Sequence, residues 1–344
     1  MGWPSTSRTV PWMLALFCAA AFIEQHIYII LDLARYCYAG RLILPLVQIE
    51  NAAAPGGRAS RGRLPHWLRK PEAHPEAVTA LKRSLRGLHL HTVCESARCP
   101  NLNECFHRGQ ATFMILGNIC TRGCGFCSVP KGVAEHLDAN EPANVGLMVA
   151  EMKLRYVVIT SVNRDDLADG GSAHFAKTVR EVRHALPEAR IEVLTPDFDG
   201  NLEAVGRVLD AAPDVFNHNM ETVARLYKRV RPQADYRQSL RVLRFAKQYR
   251  PEALTKSGLM VGLGESAGEV MQLLKDLREE GLADVATIGQ YLQPSRRNLP
   301  VAAYVKPEQF EAYREYGMSI GFQEVFSGPF VRSSYMADVV SGLC

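Results

Sequence analysis

Six of the chain's nine cysteines fall between Cys94 and Cys127, while Cys18, Cys37 and Cys344 stand alone. A disulfide framework belongs to short chains with cysteines spread along them. Crowding of this kind inside 344 residues, 47% of them hydrophobic, points instead to metal held by a well-cored domain in a reducing compartment. The net charge is only +4 and is scattered. Without a basic run the chain lacks the electrostatic footprint of a nucleic-acid groove, and no nucleic-acid partner is expected.

The six cysteines form two triads. Cys120-Thr121-Arg122-Gly123-Cys124-Gly125-Phe126-Cys127 follows the first strand candidate and supplies three thiolates, with Gly123 and Gly125 letting the loop curl. A [4Fe–4S] cluster held by three thiolates keeps one iron open for a small chelating molecule. Zinc is the competing reading, but its sites show paired C-x2-4-C elements and four protein ligands, and no second pair lies at that spacing. The other triad, Cys94, Cys99 and Cys105, has the spacing C-x4-C-x5-C and also stops at three. Buried core thiols would explain one or two of these, but not three within twelve residues.

Around the triads the chain alternates strand and helix. Thr112–Leu116, Tyr156–Thr160, Ile191–Thr195, Asp214–Asn217, Leu259–Leu263 and Val285–Ile288 read as strands, and Pro75–Leu88, Ala173–Leu186 and Ala267–Glu280 as amphipathic helices. Such alternation favours parallel pairing, and about six units are too few for a closed eightfold barrel. The expected fold is α/β, an incomplete (β/α)6 TIM-like barrel, with a doubly wound open sheet as the alternative. Four segments are expected: an extension and linker (1–63), an auxiliary-cluster region (64–110), the partial barrel (111–328) and a C-terminal closing segment (329–344). Within the extension, Val10 to Ile23 is uncharged and could pass for a signal peptide. Glu24, His26 and Asp32 interrupt it before the ~20 apolar residues of a membrane span. The extension is therefore expected to reflect a misassigned start rather than a leader or anchor.

C-x3-C-x2-C with an aromatic residue before its last cysteine resembles the signature of the radical S-adenosylmethionine superfamily. Preceded by C-x4-C-x5-C, it resembles the lipoyl synthase family. Further matching stretches are Thr160 to Leu167, Leu194 to Phe198, Asn217 to Thr222, Gln290 to Ser295 and Arg332-Ser333-Ser334-Tyr335. The resemblance runs from about Trp67 to Asp338.

It implies two [4Fe–4S] clusters. The one on Cys120, Cys124 and Cys127 would bind S-adenosylmethionine at its open iron and reduce it to a 5′-deoxyadenosyl radical. The auxiliary one, on Cys94, Cys99 and Cys105, would be closed by Ser334, with Ser333 as the alternate, and spent as sulfur donor. Hydroxyl oxygen is a harder donor than thiolate and suits an iron that must come loose. Without the resemblance the two serines would read as a turn or helix-capping pair.

The implied reaction inserts sulfur at C6 and C8 of a lysine-bound octanoyl group, using two S-adenosylmethionine molecules per lipoyl group. Phe126, Ser161, Asn163 and Asn219 are the expected S-adenosylmethionine contacts, although Asn163 to Asp166 also reads as a solvated helix start. The implied partners are octanoylated lipoyl carriers (E2 subunits of 2-oxoacid dehydrogenases and the glycine cleavage H protein), a reductant such as ferredoxin or flavodoxin, and iron–sulfur assembly proteins. The expected setting is cytoplasmic, without a membrane. Arg296, Arg297 and Arg332 are candidates for an acidic carrier or the methionine carboxylate. Val261 to Glu265 lacks the spacing of a dinucleotide fingerprint and is expected to be a strand end near ligand. Competing functions are a methylthiotransferase-like enzyme and a non-catalytic iron–sulfur carrier.

Overall fold

The computed structural model describes residues 37–38, 41–42, 64–69, 75–107 and 111–334. The chain divides into units Met1–Leu46 and Val47–Cys344. Of the first, Cys37–Tyr38 and Arg41–Leu42 form a short antiparallel ladder. The apolar stretch Val10 to Ile23, most of the extension and Tyr335 lie outside the described residues. Among the described residues, no helix is long and apolar enough to cross a membrane.

The second unit is built on one eight-stranded sheet whose spatial order follows the chain. Its strands are β1 (His91–Thr92), β2 (Thr112–Ile115), β3 (Tyr156–Ser161), β4 (Arg190–Leu194), β5 (Val215–Asn217), β6 (Leu254–Val261), β7 (Val285–Gln290) and β8 (Glu324–Gly328). β1 runs antiparallel to β2, and β2 to β8 are parallel neighbours throughout. A doubly wound sheet needs a reversal of strand order, and there is none. With right-handed crossovers, an unreversed parallel series puts every helix on one face and curls the other into a barrel interior. β1 and β8 remain as edges, so the barrel is incomplete, as expected.

Register shows how the sequence sorts the two faces. Phe113, Ile115, Val157, Ile159, Ile191, Val193, Phe216, Ala286, Ile288 and Val325 alternate onto one face and are buried. That face meets helices α4 (Glu141–Glu151), α5 (Ser172–Ala185), α6 (Leu202–Leu209), α7 (Tyr236–Tyr249), α8 (Ala267–Glu279) and α9 (Pro307–Ser319), which follow one another in sequence order, with Tyr236 Oη of α7 donating to Asp276 of α8 at 2.7 Å. The opposite alternation carries Met114, Thr160, Glu192, Leu194, Asn217, Lys256, Gly258, Met260, Thr287 and Gly289. This inner face is unusually polar for a parallel sheet.

All six expected strands are present. β6 begins five residues before the expected Leu259, because Leu254-Thr255-Lys256-Ser257-Gly258 is polar in sequence yet wholly buried. Lys256 Nζ lies 3.0 Å from Glu192 Oε2, and Asn217 Nδ2 and Tyr156 Oη also donate to that carboxylate, at 2.8 and 2.7 Å. β8 is a further strand that hydropathy does not reveal: Val325 is its one fully buried residue. Helix α1 (Pro75–Gly87) and the short helices α2 (Val93–Ser96) and α3 (Leu102–His107) precede β2; of the first triad in chain order, Cys94 is on α2, Cys105 on α3 and Cys99 in the turn between them.

Candidate functional site

Parallel strands bring all their C-terminal ends to one edge, which is where α/β sheets bind ligands. Here that edge opens into a cavity of about 460 Å³. Five of the six clustered cysteines line it, together with Phe126, Ser161, Asn163, Asn219, Ser333 and Ser334. Cys105 sits on α3, outside that lining, and its N–H bonds Asn101 O at 2.9 Å. None of the six is in a disulfide.

The loop of the second triad is held from several sides. Cys120 N–H bonds Pro130 O at 2.8 Å, and Gly125 N–H bonds Val230 O at 2.9 Å. Asn298 Nδ2 donates to Cys127 O at 2.9 Å and Lys131 Nζ to Cys124 O at 2.8 Å. Beneath it Arg122 is buried and spans two carboxylates, reaching Asp165 at 2.7 Å and Asp197 at 2.7 Å. Burial opposes the charge on Asp197, but the fields of His218 and Arg122 and the N–H of Asp199 outweigh it and hold the carboxyl below its usual range. Burial pushes His218 itself down to about 4, so near neutrality the ring is uncharged and Arg122 is the counter-ion that matters.

The thiols are pushed the other way. Burial, reinforced by neighbouring thiols, raises Cys127 to about 12 and Cys94 to about 11, and burial raises Cys124 as well. Any metal they take must displace protons. Mutual influence of Cys120, Cys124 and Cys127, and of Cys94 and Cys99, marks each set as close neighbours.

The donor set can be tested against the cluster reading. Among the described residues no three His, Cys, Asp or Glu side chains converge on a single-ion site. A four-iron cluster makes a different demand, because each thiolate binds its own iron and the donors stand a cluster's width apart. Close by, Ser161 Oγ, Asn163 Oδ1, Thr195 Oγ1 and His218 Nε2 are buried without hydrogen-bond partners. His218 Nδ1 faces Thr195 O at 2.9 Å, which places its proton there and leaves Nε2 an acceptor. Asn163 Nδ2 lies 3.8 Å from Cys120 Sγ. Three thiols beside orphaned polar atoms suit a cluster with an open iron and a polar ligand on it.

The first triad is joined to this cavity through the C-terminal segment. Thr92 Oγ1 caps α2 by accepting from Glu95 N–H at 3.3 Å, which places Cys94 in its first turn. Ser128 Oγ donates to Ser96 O at 2.7 Å, and Asn101 Nδ2 to Phe330 O at 2.8 Å. Ser333 Oγ donates to Asn219 Oδ1 at 2.9 Å.

Sequence reasoning passed over Arg122, Arg231 and Glu221 as individuals. Arg231 donates to the Asn219, Met220 and Tyr227 oxygens at 2.9, 3.2 and 3.1 Å. Burial pushes Glu221 up, against the pull of Arg231, Asn219 and Arg332. Arg122 had one available signal, its place inside the triad loop. Arg332 lines the cavity, whereas Arg296 and Arg297 are exposed and outside it. Val261 does end β6, but the cavity wall there is Leu259 and Met260. Gly262, at φ +100°, instead makes room for Gln290: a Cβ would lie 2.2 Å from its Nε2.

Known proteins place the chain. Residues 50–99 match the family model for the N-terminal domain of lipoyl synthase, and residues 114–277 match that of the Radical SAM superfamily. A lipoyl synthase of Rubrobacter xylanophilus is 54% identical over 282 residues, covering 81% of this chain and 88% of that one. One of Caldanaerobacter subterraneus is 54% identical over 277 residues, covering 80% and 96%. One of Hahella chejuensis is 53% identical over 277 residues, covering 80% and 83%. The chain belongs to the lipoyl synthase family of the radical SAM superfamily.

Proposed function

We propose that the chain is a lipoyl synthase, inserting sulfur at C6 and C8 of an octanoyl group on a lysine of a lipoyl carrier domain. The family's cofactors, two [4Fe–4S] clusters and S-adenosylmethionine, come with membership. One observation carries the reading: cysteines of both triads and both serines of the C-terminal segment line a single cavity. A cluster that activates and a cluster that donates sulfur have to face the same carbon chain.

When bound, S-adenosylmethionine and its cluster supply hydrogen abstraction from unactivated carbon, and the auxiliary cluster supplies sulfur. The protein does the rest. Cys120, Cys124 and Cys127 would hold the cluster that binds S-adenosylmethionine, on a loop fixed by Arg122. Cys94, Cys99, Cys105 and Ser334 would hold the auxiliary cluster. Phe126 would meet the adenine, and Ser161, Asn163 and Asn219 the polar ends of S-adenosylmethionine. The apolar side chains of Met114, Leu194 and Met260 in the cavity lining exclude water from the alkyl chain.

The proposed segments are 64–110 for the auxiliary cluster, 111–328 for the barrel and 329–344 for its closure, with the match to the family's N-terminal domain reaching back to residue 50. E2 subunits and the H protein are the proposed carriers, ferredoxin or flavodoxin the reductant, with iron–sulfur assembly proteins restoring the spent cluster. The need for reductant and S-adenosylmethionine argues for work in the cytoplasm.

The test is anaerobic reconstitution, then incubation with S-adenosylmethionine, reductant and an octanoylated carrier peptide. A peptide gaining two sulfur atoms alongside 5′-deoxyadenosine is expected. 5′-deoxyadenosine with no sulfur-containing peptide would overturn the assignment while keeping the superfamily. Ser334→Ala should leave S-adenosylmethionine cleavage measurable and depress sulfur insertion. Lipoyl formation at the wild-type rate would remove Ser334 from its role.

A further inference from the structure

Residues 329–334 cross the sheet where two glycines make room for them. A Cβ on Gly289 of β7 would lie 2.1 Å from the Val331 carbonyl oxygen. One on Gly258 of β6 would lie 2.6 Å from Ser333 Oγ and 2.7 Å from both Asn219 Oδ1 and Thr287 Oγ1. Real Cβ atoms do not come that close to other heavy atoms, so only glycine at these positions lets the strap sit where it does.

Into the gap at Gly258 goes the Ser333 hydroxyl, donating to Asn219 Oδ1 at 2.9 Å. The acceptor is itself fixed. Asn219 Nδ2 donates to Glu221 Oε1 at 2.9 Å, and Asn219 O accepts from buried Arg231 at 2.9 Å. Three residues back along the strap, Phe330 O accepts from Asn101, which lies between Cys99 and Cys105. The strap is thus pinned to the auxiliary triad at one end and to the barrel at the other.

We infer that Ser333 is a positioning residue: its bond to Asn219, in the space that Gly258 leaves, sets the register of the strap so that Ser334 faces the auxiliary cysteines. The Ser333 hydroxyl is committed to Asn219, and the next residue, Ser334, lines the same cavity as Cys94 and Cys99. The inference rests on the reading of Ser334 as the fourth auxiliary donor. It adds a division of labour between two neighbouring serines that the sequence presents as equivalents.

The experiment uses the full chain, reconstituted anaerobically, with two readouts: iron release from the auxiliary cluster to a chelator, and amide exchange across residues 329–334. Ser333→Ala and Gly258→Ala are expected to speed strap exchange by about three- to tenfold, the scale of one lost hydrogen bond, and to speed iron release with it. Ser334→Ala should speed iron release while strap exchange stays near wild type. Ser334→Cys should slow iron release by completing an all-thiolate set, and Ser333→Cys should not.

Slowing by Ser333→Cys, with no slowing by Ser334→Cys, makes Ser333 the ligand and overturns both the lock and the Ser334 assignment. Wild-type exchange and iron release in Ser333→Ala overturn the lock alone. Iron release unmoved by either Ser334 variant removes the Ser334 reading, and the register claim with it, even if Ser333 still tethers the strap. Should Gly258→Ala fail to fold, the Ser333 variants decide.

Discussion

Replacing Arg122 by Ala is expected to destabilise the protein by about 3–5 kcal/mol and to cost it the cluster on Cys120, Cys124 and Cys127. The guanidinium is buried and bridges Asp165 and Asp197, and Asp197 is itself fully buried. Removing the cation leaves a carboxylate in a low-dielectric setting with no partner of comparable strength, which is the costly way to break a buried pair. The double variant Arg122→Ala/Asp197→Asn should recover part of the loss, because it removes the stranded charge.

The sign of the pH dependence follows from Asp197. Its folded carboxyl is held below the unfolded range, so the stability it contributes is complete above the unfolded value and is lost as pH falls through the folded one. Arg122→Ala lifts that restraint, and acid loss of stability should begin at higher pH. Denaturant unfolding of wild type and both variants across the acid range measures this. A single variant within about 1 kcal/mol of wild type, with an unmoved acid limb, would falsify the clamp.

Lys256→Met should be nearly as severe, at about 3–5 kcal/mol, for a site that touches no ligand. The Lys256 ammonium lies 3.1 and 3.0 Å from the two Glu192 oxygens, and both side chains are buried inside the barrel. Tyr156 and Asn217 still donate to Glu192 in the variant, but neither brings charge. Lys256→Met/Glu192→Gln is expected to be more stable than Lys256→Met alone. A double variant whose cost equals the sum of the two single ones would show that the residues are not coupled.

These two sites show what local pattern reading misses. Lys256 falls in a run whose polarity argues against a buried strand, so β6 is expected to start late. Its partner is 64 residues away in sequence, and nothing local announces a counter-charge. β8 is similar, a strand with one fully buried residue that exists because the edge of β7 was there to pair with. Arg122 reads as a loop cation until Asp165 and Asp197, from the ends of two other strands, close around it.

By itself the sequence determined the chemistry. Two cysteine triads, each short of a fourth ligand, are local facts of spacing, and strand–helix alternation with apolar residues on one alternation is equally local. Together they were enough for an iron–sulfur enzyme on a partial barrel and for its family. Only the tertiary structure decided which residues face one another. Five of the six cysteines and two serines more than 200 residues distant share one cavity because parallel strands end at a common edge. The two serines, adjacent and chemically identical, are told apart by a contact with Asn219 on another strand end and by the absent side chain of Gly258. Spacing records what one stretch of chain can bind; long-range packing sets what it meets.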